Sequence, residues 1–340
     1  MPDLPARPDL DQLRRRAKDL LRAARGGDAD ALRQLYAVSD RLVLASAQLA
    51  VAREHGFESW PTLRVEVLRR EVLDNADAAR LRALLAEHPE LAVQRMQHWC
   101  DHPRGFSPIG YVAALRYDTS RHVWRDVPDA HLLARALIEA GAPVEGAPGD
   151  RETPLITAAS YGDAAVAAVL VEAGANLEAR AAPDAGGVPG GSPLLHAAVF
   201  GMTAVLDVLV AAGARAENIA EAAAAGDLDG HLTGDTRPQE RIRALVMAAD
   251  HERLTVIDEL LRAGTPIDAI DEQWGRQALH VAASNGRAAS VQHLLTRGAE
   301  PKVRDARGRT ALELCRRARR GVADQRGHDR VEALLLAASA

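Results

Sequence analysis

Aromatic residues are scarce: four Trp, four Tyr and three Phe amount to 3% of 340 residues, although 47% of the chain is apolar. A buried surface must therefore come from Ala, Leu and Val on closely packed helices, which points to an all-α protein. Cysteine is nearly absent. Cys100 and Cys315 stand 215 positions apart, which excludes a disulfide framework and a paired C-x-x-C metal signature, and suits a reducing compartment. No run approaches the ~18 apolar residues of a membrane span, and "MPDLPARPDLDQLRRR" has acids and prolines where a secretory leader has an apolar core, so the expected location is cytoplasmic. A basic excess is lacking too. The net charge of -5 argues against a dedicated nucleic-acid binder, though it leaves room for a local basic patch.

Catalytic signatures are equally thin. The chain contains no Gly-x-Ser-x-Gly and no His-Glu-x-x-His. The glycines of "GGVPGG" lack the Lys-Ser or Lys-Thr of a phosphate loop and read as a flexible finger. Cys315, in "ALELCRRAR", has no nearby histidine to activate it and reads as a core thiol. The best metal candidate is "HWCDH", where His98, Cys100, Asp101 and His102 offer several donors in five residues. Zinc normally needs four ligands on a supported turn or helix, and no second cluster is visible. The expectation is no enzyme, no cofactor and no metal, with a metal-dependent switch at His98, Cys100 and His102 as the rival.

What the chain does have is repetition. "ETPLITAASYGDAAVAAVLVEAGANLEA", "GSPLLHAAVFGMTAVLDVLVAAGA" and "RQALHVAASNGRAASVQHLLTRGAEP" align with anchors at Thr153, Ser192 and Gln277. Nine residues after each anchor comes Gly162, Gly201 or Gly286; twenty-one residues after comes Gly174, Gly213 or Gly298. The first glycine lets the chain reverse between two short helices, and the second ends the second helix in a left-handed conformation. Apolar pairs before it (Leu170 and Val171, Leu209 and Val210, Leu294 and Leu295) mark a buried face that one hairpin cannot cover alone. Neighbouring hairpins must stack.

These segments resemble ankyrin repeats, whose 33-residue period and T-P-L-H-x-A signature match "TPLITAA" and "QALHVAA". Degraded copies follow Ser107, Arg243 and Thr310, and a seventh near Glu217 keeps its first helix and loses most of its second. "VLDNADAARLRALLAEHPELA" looks like a divergent opening repeat, and "LAVAREHGFESWPTL" is similar to a leader of bacterial ankyrin proteins. The resemblance implies an ankyrin-repeat solenoid of stacked helical hairpins over residues 66–340, behind a helical N-terminal cap over 1–65. In that cap Leu13, Ala17, Leu20, Leu21 and Ala24 share one face, and Gly26-Gly27-Asp28 make a turn. In the family the motif histidine, here His280, bonds within the turn entering its helix, so a structural role is expected for it. Ile156 and Leu195 occupy that position in two other copies, with His196 one place later.

Four stretches break the rhythm and should be surface loops: 115–128, 182–191, 227–240 and 319–328. Charge is segregated. Residues 302–330 hold ten basic against four acidic residues, and residues 250–272 hold two against seven. The resemblance implies a non-catalytic scaffold, expected to be a monomer, that binds another protein through a concave groove and finger loops. By motif position the groove takes in Thr157, Ser160, Tyr161, His196, Phe200, Ser284 and Asn285, with Trp274, Arg276, Arg304 and Arg307 in fingers. The 115–128 insertion adds Tyr117 and Trp124, among Arg116, Arg121, His122 and Arg125. Trp, Tyr and Arg dominate interface energies, while Trp124 might alternatively cover a thin core. Binding of an acidic surface or nucleic acid through 302–330 is the remaining alternative.

Overall fold

The computed structural model describes residues 4, 8–96, 105–118, 121, 123–320 and 325–339. The chain divides into two compact units, Met1–Pro154 with Glu172–Ala175, and Leu155–Val171 with Asn176–Ala340. Among the described residues there are eighteen α-helices and one two-stranded sheet.

The first unit opens with α1 (Leu10–Arg25), α2 (Ala29–Tyr36), α3 (Leu44–Glu54) and α4 (Trp60–Asp74). Helix α1 buries Leu13, Ala17, Leu21 and Ala24, one stripe at helical spacing, and Asp9 caps it by accepting from the amides of Asp11 and Gln12. The stripe joins Leu35, Ala47, Val51, Leu63 and Val67 in one apolar cluster, so α4, which continues beyond residue 65, shares the core of α1–α3. Helices α5 (Ala78–Glu87), α6 (Pro108–Ala114) and α7 (Ala130–Glu139) follow. Helix α4 also carries charges into the interior. Arg69 and Arg70 are fully buried beside Glu66; Arg69 Nη1 donates to the carbonyls of Leu91 (3.0 Å) and Gln94 (2.8 Å), and Nη2 pairs with Glu66. Burial pushes the Arg70 guanidinium below its ordinary pKa, against the attraction of Glu66.

The 115–128 stretch is no plain loop. It forms a small hairpin, β1 (Tyr117–Asp118) against β2 (Val123–Trp124), antiparallel with Tyr117 opposite Trp124. The two rings meet edge to face at 5.2 Å. That arrangement satisfies backbone groups that an open loop would leave to water.

The second unit contains most of α8 (Pro154–Tyr161) and α9 (Ala164–Glu172), then α10 (Pro193–Val199), α11 (Thr203–Ala211), α12 (Ile219–Ala225), α13 (Pro238–Asp250), α14 (Leu254–Arg262), α15 (Ala278–Ser284), α16 (Ala288–Thr296), α17 (Ala311–Arg319) and α18 (Arg326–Ser339). The turn glycines take the left-handed conformation the repeat requires, with φ of 72°, 70° and 68° at Gly162, Gly201 and Gly286, and 86°, 93° and 94° at Gly174, Gly213 and Gly298. First helices stack on first helices, α10 on α12, α12 on α13, α13 on α15 and α15 on α17; second helices pack as α14 on α16 and α16 on α18. Helix α12 has no second helix before α13, as the shortened copy at Glu217 implied. In the last helix Val331 and Leu335 are buried while Leu334 is half-covered.

Buried histidines stitch the stack. His280 is fully buried: its Nδ1 accepts from the Gln277 amide (3.4 Å), and Nε2 donates to the Val303 carbonyl of the following repeat (3.2 Å). The histidine thus braces its own turn, as the resemblance implied, and also reaches the next one. Burial holds it below the ordinary imidazole pKa, against the nearby Asp305 carboxylate. His251 donates from Nε2 to the Ala198 carbonyl (2.9 Å) and accepts from Thr203 at Nδ1, and His328 donates to the Ser284 carbonyl (3.0 Å).

Candidate partner-binding groove

In the second unit a pocket of about 290 Å³ opens between successive fingers, lined by Val199, Asp250, Trp274, Arg276, Asn285 and Arg307 among others. Its first wall is built on Asp271, which is fully buried. Asp271 Oδ1 accepts from the Trp274 amide (2.9 Å), Oδ2 accepts from Arg243 Nε (3.0 Å), and the Asp271 amide donates to the Arg276 carbonyl (3.0 Å). These bonds close the finger into a tight loop. They hold the Trp274 ring out at 37% exposure, with the Arg243 guanidinium 6.0 Å from its centroid.

The second wall is the finger of residues 305–309. Asp305 is buried; Oδ1 accepts from the amides of Arg307 (2.9 Å) and Arg309 (2.8 Å), and Oδ2 accepts from Arg309 Nε (3.0 Å) and Nη2 (2.7 Å). Burial alone would raise this carboxyl, but the Arg309 and backbone donors outweigh it and hold the group at about 2. The fingers are locked together: the Ala306 amide donates to the Gly275 carbonyl (2.8 Å), and a Cβ on Gly275 would lie 2.7 Å from the Ala306 Cβ. The floor is equally fixed. Asp250 accepts from Asn285 Nδ2 (2.7 Å) and Arg287 Nε (3.5 Å), while Arg287 Nη2 donates to the Gly201 carbonyl (2.6 Å).

The residues expected at a partner surface fall into three sets. Trp274, Arg276, Asn285 and Arg307 converge on this pocket, and Phe200, 42% exposed, follows Val199 at its edge. Tyr161, Ser284 and Arg304 do not line it; the Ser284 carbonyl is taken by His328, and Arg304 Nη1 donates to the Gly308 carbonyl (2.6 Å). Tyr117 and Trp124 belong to the first unit, where Trp124 is 53% exposed rather than folded over a core.

Two expectations for the groove are overturned. Thr157 and His196 are buried. His196 Nδ1 donates to the Ser192 carbonyl (2.9 Å), and Nε2 accepts from the Val188 amide (3.1 Å). One place beyond the usual histidine position, it pins the 182–191 stretch, so this glycine-rich segment is anchored through Val188 rather than a free finger. Val199 and Asp250 were missed, although the repeat pointed to them: each stands seven residues after its anchor, Ser192 and Arg243. Among the described residues no group of three His, Cys, Asp or Glu side chains is placed to hold a metal ion; His98, Cys100, Asp101, His102 and His122 lie outside the described residues. No helix among them is long and apolar enough to cross a membrane. Cys315 donates to the buried His328 carbonyl (3.3 Å), and burial, then Glu332, pushes its thiol up to about 11.

Two segments of the chain match ankyrin-repeat family models, residues 150–182 the single repeat and residues 260–315 a multiple-copy model. The chain carries ankyrin repeats. The second match spans both walls of the pocket, since Trp274, Arg276, Asn285 and Arg307 all fall within it. Over 59 residues the chain is 41% identical to a human espin-like protein, a stretch that is 17% of this chain and 6% of that relative. It is also similar to the crystal structure of the human ASB11 ankyrin repeat domain, at 26% identity over 68% of this chain and 97% of that one, with a TM-score of 0.34. Ankyrin repeats generally mediate protein–protein interaction.

Proposed function

We propose that this ankyrin-repeat protein is a non-catalytic recognition module that grips another protein through the groove around Val199, Phe200, Trp274, Arg276, Asn285 and Arg307. One observation carries the reading. Trp274 is held exposed by a finger whose backbone, buried Asp271 and Gly275–Ala306 contact are all fixed, so a partner would find a large apolar anchor without ordering it first. The saturated carboxylates and the buried, raised Cys315 thiol leave the described residues without an activated nucleophile. The scarcity of cysteine supports a reducing, cytoplasmic setting, and the likeness of residues 49–63 to a bacterial leader supports a bacterial-type member.

Affinity capture from the native cell with wild type and with Trp274→Ala tests this reading. A specific partner, bound more weakly by over ~2 kcal/mol in the variant at unchanged melting, is the expected result. A partner insensitive to both Trp274→Ala and Phe200→Ala would refute the groove. The β1–β2 hairpin is the second reading, favoured by the exposure of Trp124 and Val123 side by side. Loss of the same partner on Trp124→Ala alone would move the contact there.

A further inference from the structure

The pocket holds more positive charge than its own carboxylates use. Arg276, Arg307 and Arg309 line it with Asp250 and Asp305. Arg309 is spent on Asp305, and Asp250 is spent on Asn285 and Arg287. Arg276 and Arg307 remain: neither guanidinium makes a hydrogen bond or ion pair among the described residues. Arg276 is half-buried, with burial and the like charges of Arg309 and Arg307 all working against its cation. A partly desolvated guanidinium with no anion is unfavourable, and a carboxylate arriving from outside removes that penalty.

The rest of the lining limits what the anion is attached to. Val199, Met247, Val281 and the Trp274 ring supply apolar wall beside the two cations. At about 290 Å³ the space is at the small end of ligand pockets, ~300–1,000 Å³, which suits a side chain on an extended segment and not a folded element. Guanidinium forks match carboxylates in pairs of parallel hydrogen bonds. We propose that this pocket is a carboxylate site, in which Arg276 and Arg307 hold an acidic side chain of an extended partner segment whose apolar neighbour packs on Trp274. The inference rests on the groove being a protein-binding surface, and assigns the chemistry of what it binds.

The test uses the full chain and a fluorescein-labelled, end-blocked peptide of alternating Glu and Leu, six residues long, with a Gln-for-Glu version as the neutral control. Fluorescence anisotropy should show saturable binding of the acidic peptide and binding of the neutral one weaker by about tenfold or more. Arg276→Gln with Arg307→Gln should cost about tenfold or more at unchanged melting, because neither side chain is bonded in the fold. Arg276→Lys, which keeps the charge and loses the fork, should be intermediate. Arg317→Gln, an exposed cation in the same basic stretch, should change nothing. Equal losses for Arg317→Gln and the double variant would overturn the pocket in favour of diffuse attraction by residues 302–330. Inorganic phosphate competing at concentrations equal to the peptide would overturn the peptide source in favour of a small free anion. A double variant that binds the acidic peptide as wild type does, while Trp274→Ala still abolishes capture of the native partner, would remove the carboxylate assignment and leave the groove standing.

Discussion

Replacing His280 with Ala removes a buried imidazole and orphans two backbone groups, the Gln277 amide and the Val303 carbonyl. An unsatisfied buried group costs about 1–3 kcal/mol. Here both bonds are long, 3.4 Å and 3.2 Å, which puts each near the lower end, so the sum with lost packing is about 2–3 kcal/mol. The effect depends on pH in a definite direction. Burial depresses the His280 pKa in the fold below its ordinary 6.5, so folding favours the neutral ring. The contribution is fully present above pH 6.5 and is lost as pH falls toward the depressed value, where the unfolded chain takes up the proton first. Chemical denaturation of wild type and His280→Ala at pH 7.5 and at pH 5.5 measures both parts. The gap between the two proteins should be about 2–3 kcal/mol at the higher pH and should shrink at the lower one. An unchanged midpoint at pH 7.5, or a gap that widens in acid, would refute the bracing role.

Ala76, in the turn between α4 and α5, has φ of 52°, and Ala76→Gly should raise the melting midpoint slightly, a relief of ~1 kcal/mol partly offset by the freer unfolded chain. Glu252, with φ of 55°, differs because its carboxylate accepts from the Ala289 amide (3.0 Å), so Glu252→Gly should be neutral within ~0.5 kcal/mol; a clear gain there would show that the bond contributes nothing. Gly275→Ala adds a Cβ 2.7 Å from Ala306 at a φ of 64° and should cost about 1–3 kcal/mol while shifting Trp emission, and unchanged emission with unchanged melting would contradict the locked fingers. In a Cys100→Ser background, Cys315 should resist a thiol reagent at pH 8 until denaturant is added; rapid labelling of folded protein would refute its burial and raised pKa.

The repeat architecture was legible because ankyrin hairpins are specified locally: glycine at two fixed offsets, an apolar pair before the second, a short capped helix. Those rules act within a few residues, so a single sequence exposes them. What stayed hidden depends on contacts distant along the chain. His196 read as a groove residue because its position in the helix faces that way in the pattern, yet the Val188 amide takes it inward. The Asp271–Arg243 bond joins residues 28 positions apart, and without it nothing in "DEQWGR" says that Trp274 is held outward. The buried Glu66, Arg69 and Arg70 of α4 looked like a solvated helix face, since a charge run carries no mark of the Leu91 and Gln94 carbonyls that receive it. The hairpin at 117–124 is too short for alternation to show.

Helix α12, which lacks a second helix, leaves the two layers of the stack unequal. First helices continue through it from α10 to α13, whereas nothing lies between α11 and α14 in the layer behind. Arg253 spans that gap alone, donating from Nε to the Ala224 carbonyl (2.7 Å) and pairing with Asp207. Since coupling in a repeat array passes only between neighbours, cooperativity must thin to a single tier at this joint. Under tension or gentle heating the array should part here before it parts anywhere else, and the segment from Pro238 onward, with the Trp274 pocket inside it, would keep its shape after the connection to α10 and α11 is gone.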